Sequence, residues 1–334
     1  MDASTSPQPL LDLSPEACLD AEAASVSASA AHAANRGRGR PEISIIVPAY
    51  RGKATIRSCV GAVRQVAQGW NHEVLVVESS GDGTADLIRD HCPDVRVIAT
   101  QRRLTAGQAR NLGVRHARGR WIFCVDQDCI VPQDWIPRLL EHLSQPGVGA
   151  AGGAITVANP ENISGWCVYF LEFLNHFPGR NSQTVSTNFL IGANSSWRVE
   201  VFTNVAFPDQ TLGEDLLLSE WVKAQGYRVV YDHSIQVRHF NRQGWAEFRR
   251  YCRAMGRAAA QDQAQLGGWA IRLVQRCPAL IFGAPLIILP RICWALRHAP
   301  LHYLLRFLAL LPCCLFGQLL WAAEFRATLR SQSA

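Results

Sequence analysis

Four short apolar runs punctuate the first part of the chain, and each stops at polar residues. "ISIIVPAY" (43–50) is rich in β-branched residues and closes at Pro48, which predicts a buried strand. "HEVLVVESS" (72–80), "VRVIAT" (95–100) and "RWIFCV" (120–125) predict three more. Between them the apolar positions switch to helical spacing. In "ATIRSCVGAVRQV", Ile56, Val60 and Val63 share one face. "GDGTADLIRDH" turns and opens a second helix, with Asp82 or Thr84 as N-cap. "TAGQARNLGVRHA" (105–117) predicts a third, with Ala109, Leu112 and Ala117 facing in. Strand and helix alternate roughly every 25 to 30 residues, the pattern of an α/β, doubly wound, mostly parallel sheet. Such sheets bind ligands beyond the carboxyl ends of their strands. Pro48 to Tyr50, Glu78 to Asp82 and Asp126 to Asp128 fall at three of those ends, so one crevice should hold all three clusters.

The third cluster carries the clearest chemistry. In "FCVDQDCIV" (123–131) an apolar run ends in two carboxylates one residue apart. On extended backbone, positions i and i+2 point the same way, so Asp126 and Asp128 can be aimed at one cation. Paired carboxylates suit Mg²⁺ or Mn²⁺, which take oxygen ligands. A dinucleotide-binding fingerprint is excluded: the first strand exits into "PAYRGKAT" with a single Gly, and "GDGTAD" lacks the third glycine. No Walker loop is present either. Phosphate binding therefore falls to a metal held by the acids. "TLGEDLLLSEWV" (211–222) places Glu214 and Asp215 in a first helical turn, where the helix dipole favours acids. "VRHFNR" (237–242) puts His239 after the strand "YRVVYD".

Composition narrows the classes. The chain has 334 residues, 48% of them hydrophobic, enough for one large domain or two modest ones. The net charge of +6 is spread along the chain, and no nucleic-acid-binding motif accompanies it. A mild basic excess suits an anionic membrane surface or a phosphorylated substrate. The 11 cysteines include no Cys-x-x-Cys and read as small core residues in a reducing compartment. The first 35 residues, rich in Ala, Ser, Pro and acids, read as disordered or weakly helical, without the regions of a secretory leader. "RGRGRP" (36–41) reads as a linker. Late in the chain, "CPALIFGAPLIILP" (277–290) runs 14 residues and "FLALLPCCLFGQLLWAA" (307–323) runs 17 without a charge. The first is short for a span, and the second just reaches the lower limit. Arg272, Arg276, Arg291, Arg297, Arg306, Arg326 and Arg330 flank them on every side, so charge assigns no topology. A hairpin or in-plane anchor is expected, with Trp294 and Trp321 at the interface; a pair of buried helices is the alternative.

Taken in order, "SIIVPAY", "VVESSGDGTADLI", "AGQARNLGV", "FCVDQD", "LIGANSSWR", "GEDLLLSEWVKAQGYRVVYD" and "VRHFNR" resemble the inverting family-two glycosyltransferases of the GT-A fold. The resemblance covers roughly 43 to 260. It implies a disordered segment over 1–40, a catalytic domain over 41–260 and membrane-associated helices over 261–334. It implies a nucleotide-diphosphate sugar donor, a lipid-linked or saccharide acceptor, and a place at the cytoplasmic membrane with the catalytic domain facing the cytoplasm. Residue by residue, it makes Asp128 the direct metal ligand and sets Asp126 nearer the ribose or linked to the ion through water. His239 completes the metal site or contacts the phosphates. Asp215 becomes the general base, and Glu214 orients the acceptor or the base. Pro48, Tyr50, Glu78 and Asp82 line the nucleotide. Arg110 counters a phosphate or Asp126, and Asn194, near Gly192, bonds to donor or acceptor hydroxyls. The second strand departs from the family: two Asp residues before a Gly-Ser turn are usual, whereas this chain has Glu78-Ser79-Ser80-Gly81, which leaves the base open. Arg249, Arg250, Arg253 and Arg257 in "FRRYCRAMGRA" meet diphosphate or lipid, or only solvent. "GWCVYFLEFLNHF" (165–177) is an acceptor-facing helix or core. The Gln-x-x-Arg-Trp motif of processive synthases is absent, against a long-chain polymerising enzyme. The competing readings are a nucleotidyltransferase, which needs a basic loop where "AYRGKAT" offers only Arg51 and Lys53, and an inactive membrane-anchored assembly protein.

Overall fold

A computed structural model describes residues 39–179, 184–187, 189–209, 212–266 and 276–332. The N-terminal segment through Arg38, and Arg272, lie outside the described residues. The chain forms two compact units. The first takes in the chain up to Ala154, with Gln183–Asp209 and Gly213–Val237. The second takes in Ile155–Ser182, Gln210–Leu212 and everything from Arg238 onward.

In chain order the regular elements are β1 (Ile43–Ala49), α1 (Ile56–Val66), β2 (His72–Glu78), α2 (Thr84–His91), β3 (Arg96–Ala99), α3 (Ala106–His116), β4 (Trp121–Cys124), β5 (Cys129–Ile130), α4 (Trp135–Ser144), β6 (Val148–Val157), α5 (Ile163–Glu172), β7 (Thr184–Ser186), β8 (Ser195–Arg198), α6 (Glu214–Ala224), β9 (Arg228–His239) and α7 (Trp245–Leu266). Two C-terminal helices follow, α8 (Pro285–Leu296) and α9 (Leu301–Gln332). The strands build one sheet in the order β3-β2-β1-β4-β8-β6-β9-β5, with β7 on β9. The four predicted strands form its parallel half: Ile43 pairs with both His72 and Trp121, and Leu75 with Arg96. Each is joined to the next by a helix, as parallel pairing requires.

The sheet is mixed beyond that half. β8 runs antiparallel to both β4 and β6, with Ser195 opposite Cys124 on one side and Gly152 on the other. This strand brings the segment 190–195 beside the exit of β4. The core of the first unit gathers Ile46, Leu75, Val77, Ile122, Trp197 and Leu218, all fully buried. Helix α1 buries Ile56, Cys59, Val60, Val63 and Val66. Each full-size aliphatic buried this way contributes about 1.5–3 kcal/mol.

Three local details differ from the sequence reading. The N-cap of helix α2 is Gly83, in the left-handed region at φ 90°, rather than Asp82 or Thr84. Asp82 still serves the helix start, since its Oδ1 accepts the Thr84 N–H at 3.0 Å. β9 runs on to His239, which closes the strand rather than following it. Helix α5, the expected acceptor-facing or core helix, is core: Trp166, Cys167, Val168, Tyr169 and Phe170 are all buried.

The second unit packs α5, α7 and α9 through small residues. A Cβ on Gly256 of α7 would lie 2.3 Å from the Trp321 carbonyl oxygen of α9. One on Gly317 of α9 would lie 2.5 Å from Phe248 of α7. Of the described cysteines, Cys59, Cys92, Cys124, Cys129, Cys167, Cys252 and Cys314 are buried, and all are free thiols. Burial pushes the Cys124 thiol up to about 12, so it stays protonated and unreactive.

Candidate functional site

Three strand exits build the centre of the first unit, and side-chain-to-backbone bonds lock them. The chain leaves β4 into a turn in which the Asp126 carbonyl accepts the Cys129 N–H at 3.0 Å. Asp126 and Asp128 are therefore presented by a turn, not by the alternation of an extended strand. The same carbonyl accepts the buried Cys59 thiol from α1 at 3.2 Å. Gln127, at the middle of the pair, reaches across to β1. Its Oε1 accepts the Tyr50 N–H and its Nε2 donates to the Tyr50 carbonyl, each at 3.0 Å. Gly52 makes room for it: a Cβ there would stand 2.2 Å from Gln127 Oε1. Sequence reasoning gave Gln127 no role, and only its position between the two acids could have marked it.

Pro48 sits inside β1 opposite Val77, and Ala49 opposite Glu78. Tyr50 lies half-buried just beyond, with the Arg103 guanidinium 4.6 Å from its ring centre. Arg103 is a second residue that sequence reasoning missed, since it stands in the irregular segment after β3. At the exit of β2, Glu78 is fully buried and turned back on its own loop. Oε1 accepts the Ser80 N–H at 2.6 Å and Oε2 the Gly81 N–H at 3.3 Å. It shapes the turn, which corrects its expected place lining the nucleotide. Asp82 is half-buried and accepts from Ser80 Oγ and the Thr84 N–H, each at 3.0 Å. Burial opposes its ionisation, but bonds from Thr84 and Ser80 and the charge of Lys53 outweigh that and hold it below the usual carboxylate range.

Arg110 of α3 joins two of these groups. Its Nη2 donates to Asp126 Oδ1 at 2.7 Å and its Nη1 to Glu214 Oε1 at 2.9 Å. The side chain is 3% exposed, so it meets Asp126 as expected but does not reach into solvent for a phosphate. Gly192 is what admits it: a Cβ there would be 2.2 Å from Arg110 Cζ. Helix α6 begins after Gly213, left-handed at φ 74°, which sets Glu214 and Asp215 in its first turn. Asp215 is half-buried; its Oδ2 accepts the Gly192 N–H at 3.2 Å and its Oδ1 the Leu216 N–H at 2.9 Å. Ser219 of the same helix accepts the Leu190 N–H at 3.2 Å, so the 190–192 segment is tied down twice. Burial and the Asp215 charge push Glu214 up to about 7 against the opposing charge of Arg110. Burial also raises Asp215, with Arg110 and the Gly192 N–H opposing.

Asn194 is not a sugar contact. It is fully buried; Nδ2 donates to the Ala154 and Ile235 carbonyls at 3.1 and 3.0 Å, and Oδ1 accepts from Trp135 Nε1 at 2.9 Å. Both amide hydrogens are taken, and the residue fastens β6, β9 and α4 around β8. His239 belongs to the second unit. It is buried, its Nδ1 lies 3.0 Å from Asn241 Oδ1, and its ring stands edge-on to Phe173 at 4.9 Å. With the Asn241 oxygen as acceptor, the ring proton sits on Nδ1. Of the predicted arginines, Arg250 and Arg257 pair with Glu247 and Glu324, and Arg249 and Arg253 are exposed.

The model of glycosyl transferase family 2 matches residues 44–205, the stretch that holds all three strand exits, Arg110 and Gly192. This chain carries a family-2 glycosyl transferase domain. Over 127 residues the chain is 38% identical to the succinoglycan biosynthesis protein ExoO of Rhizobium meliloti, covering 37% of this chain and 34% of that protein. Over 125 residues it is 30% identical to the glycosyltransferase AglE of Haloferax volcanii, covering 36% and 41%. The chain thus spans between a third and a half of the length of these relatives. Among solved structures, the mannosyltransferase PcManGT from Pyrobaculum calidifontis, in complex with GDP-Man and Mn²⁺, superposes with a TM-score of 0.52 at 19% identity, covering 88% of this chain and 86% of that one. That likeness shows the GT-A fold, a mostly parallel mixed sheet with helices.

Proposed function

We propose that this family-2 protein is a metal-dependent inverting glycosyltransferase that moves a sugar from a nucleotide-diphosphate donor to a lipid-linked or saccharide acceptor at the cytoplasmic face of the membrane. The observation that carries the reading is the Arg110 bridge, which ties the acid turn at the β4 exit to the first turn of α6 within hydrogen-bonding distance. Arg110 takes Oδ1 of Asp126 and leaves Oδ2 open. With Asp128 the turn offers carboxylate oxygens, the donors that Mg²⁺ or Mn²⁺ take, with the Cys129 thiol beside them. Asp128 is the proposed direct ligand, and the resemblance assigns His239 to the same ion. When bound, such an ion neutralises charge developing on the departing diphosphate. Mn²⁺ and GDP-Man in the mannosyltransferase of the same fold favour this assignment.

Asp215 takes the proton from the acceptor hydroxyl in this reading. Burial raises its basicity, while the Gly192 and Leu216 amides keep its carboxylate oriented. One base and a single displacement imply inversion at the sugar carbon. Glu214, held by Arg110, positions the base rather than replacing it. Tyr50, Asp82 and Arg103 line the nucleotide side.

Calorimetry with UDP, GDP, CMP and dTDP, with and without Mn²⁺, tests the assignment on wild type and Asp128→Ala. The expected outcome is metal-dependent binding of one diphosphate, lost in the variant. Failure of every nucleotide to bind would overturn the transferase reading in favour of an assembly role.

A further inference from the structure

Helix α9 is divided lengthwise. Leu301, Leu305, Leu308, Leu315, Phe316 and Leu319 are each 40% exposed or more, and their spacing puts them on one stripe. The opposite stripe is buried within the second unit. Phe307 stacks edge-on to Phe170 of α5 at 5.2 Å, and Gly317 fits against Phe248 and Cys252 of α7. Helix α8 adds Leu286 at 81%, Ile287 at 64% and Trp294 at 67% exposure. This much exposed apolar surface marks a covered face.

Arginines border it. Arg291, Arg297 and Arg306 are exposed beside these residues; Arg297 lies 3.4 Å over the Trp294 ring, and Arg306 lies 4.5 Å over Trp166 of α5. An aromatic and cationic border around an aliphatic stripe complements anionic headgroups over acyl chains. By length and composition Ala279–Leu296 and Leu301–Ser331 could each cross a membrane; the packing of α9 opposes it. Helix α7 is fastened along α9 and exposes Arg249, Arg250 and Arg253 on its outer side, so a spanning α9 would draw those charges into lipid.

We infer that α8 and the exposed stripe of α9 form an in-plane dock on one leaflet of an anionic membrane, with neither helix crossing it. The dock stands apart from the reaction: vesicle binding can fail while nucleotide binding holds, and the reverse.

The first experiment is flotation of the purified full chain with phosphatidylcholine vesicles, with and without a quarter phosphatidylglycerol. Binding is expected to be at least about tenfold tighter to the anionic vesicles, and to be lost in Leu286→Glu/Leu305→Glu while calorimetric nucleotide binding is unchanged. The second inserts a protease site between His298 and Ala299 and digests sealed vesicles from expressing cells. An in-plane dock predicts cutting from the face on which the first unit is digested. Protection of the site until detergent is added would show a crossing hairpin and overturn the inference. Absence of vesicle binding by the wild type would overturn it too, as would equal binding to neutral and anionic vesicles.

Discussion

Arg110 is one guanidinium between two acids in a nearly dry place, and that sets what its replacement should do. Arg110→Gln leaves Asp126 and Glu214 without a counter-charge, and losing one partner of a buried pair costs about 3–5 kcal/mol. Urea denaturation should show a loss of that order. Arg110→Lys restores the charge but cannot fork to both carboxylates, so it should recover part of the stability and little of the metal-dependent nucleotide binding. Gly192→Ala should mimic Arg110→Lys without touching a charge, because its methyl would occupy the guanidinium's place. Glu214 gives a pH signature. Its folded pKa is raised to about 7, so between its ordinary value and there the native state holds more protons than the unfolded chain. Stability from this group is then lost as pH rises from about 4.5 to about 7. A melting-temperature series over that range should fall with pH in wild type and flatten in Glu214→Gln.

At the scale of elements, glycines separate packing from propensity. Gly61 of α1 has open space around its missing Cβ, so Gly61→Ala should stabilise by about 1 kcal/mol through helix propensity alone. Gly256 of α7 has the same propensity to gain but meets the Trp321 backbone, so Gly256→Ala should cost about 1–3 kcal/mol instead. Denaturation midpoints of opposite sign would confirm the α7–α9 seam. The strands β1 to β4 were legible because apolar β-branched runs alternated with helical periods. β6, "VGAAGGAITV", was not, because Ala and Gly carry no hydrophobic period. β8 was hidden for a related reason: Gly192, Asn194 and two serines read as loop, and only its place between β4 and β6 makes it a strand. The site was legible at the acid turn and at Glu214–Asp215, whose residue types announce chemistry. The roles of Glu78 and Asn194 were not, since burial and partners turned both inward. The Gln127 clamp and the Arg103–Tyr50 contact are long-range pairings that no local pattern encodes.

For the whole molecule, the two units each have their own apolar core, and the acid turn and the Glu214–Asp215 start of α6 both belong to the first. A ligand that binds the folded first unit must raise that unit's stability by mass action. At a hundredfold excess over Kd the gain is about 2.7 kcal/mol, or roughly 5–10 °C in a domain of this size. The gain should require both partners, since the acid turn offers a diphosphate only negative charge and the ion alone lacks the phosphate oxygens that complete its shell. The ten tryptophans lie in both units, so scanning calorimetry rather than total fluorescence follows the melting. The transition of the first unit should shift upward with the nucleotide diphosphate and Mn²⁺ together, move little with the nucleotide alone, and stay fixed in Asp128→Ala. A shift of equal size without the ion would mean that the arginines and backbone amides hold the phosphates unaided, and that Asp126 and Asp128 shape the turn rather than bind a metal.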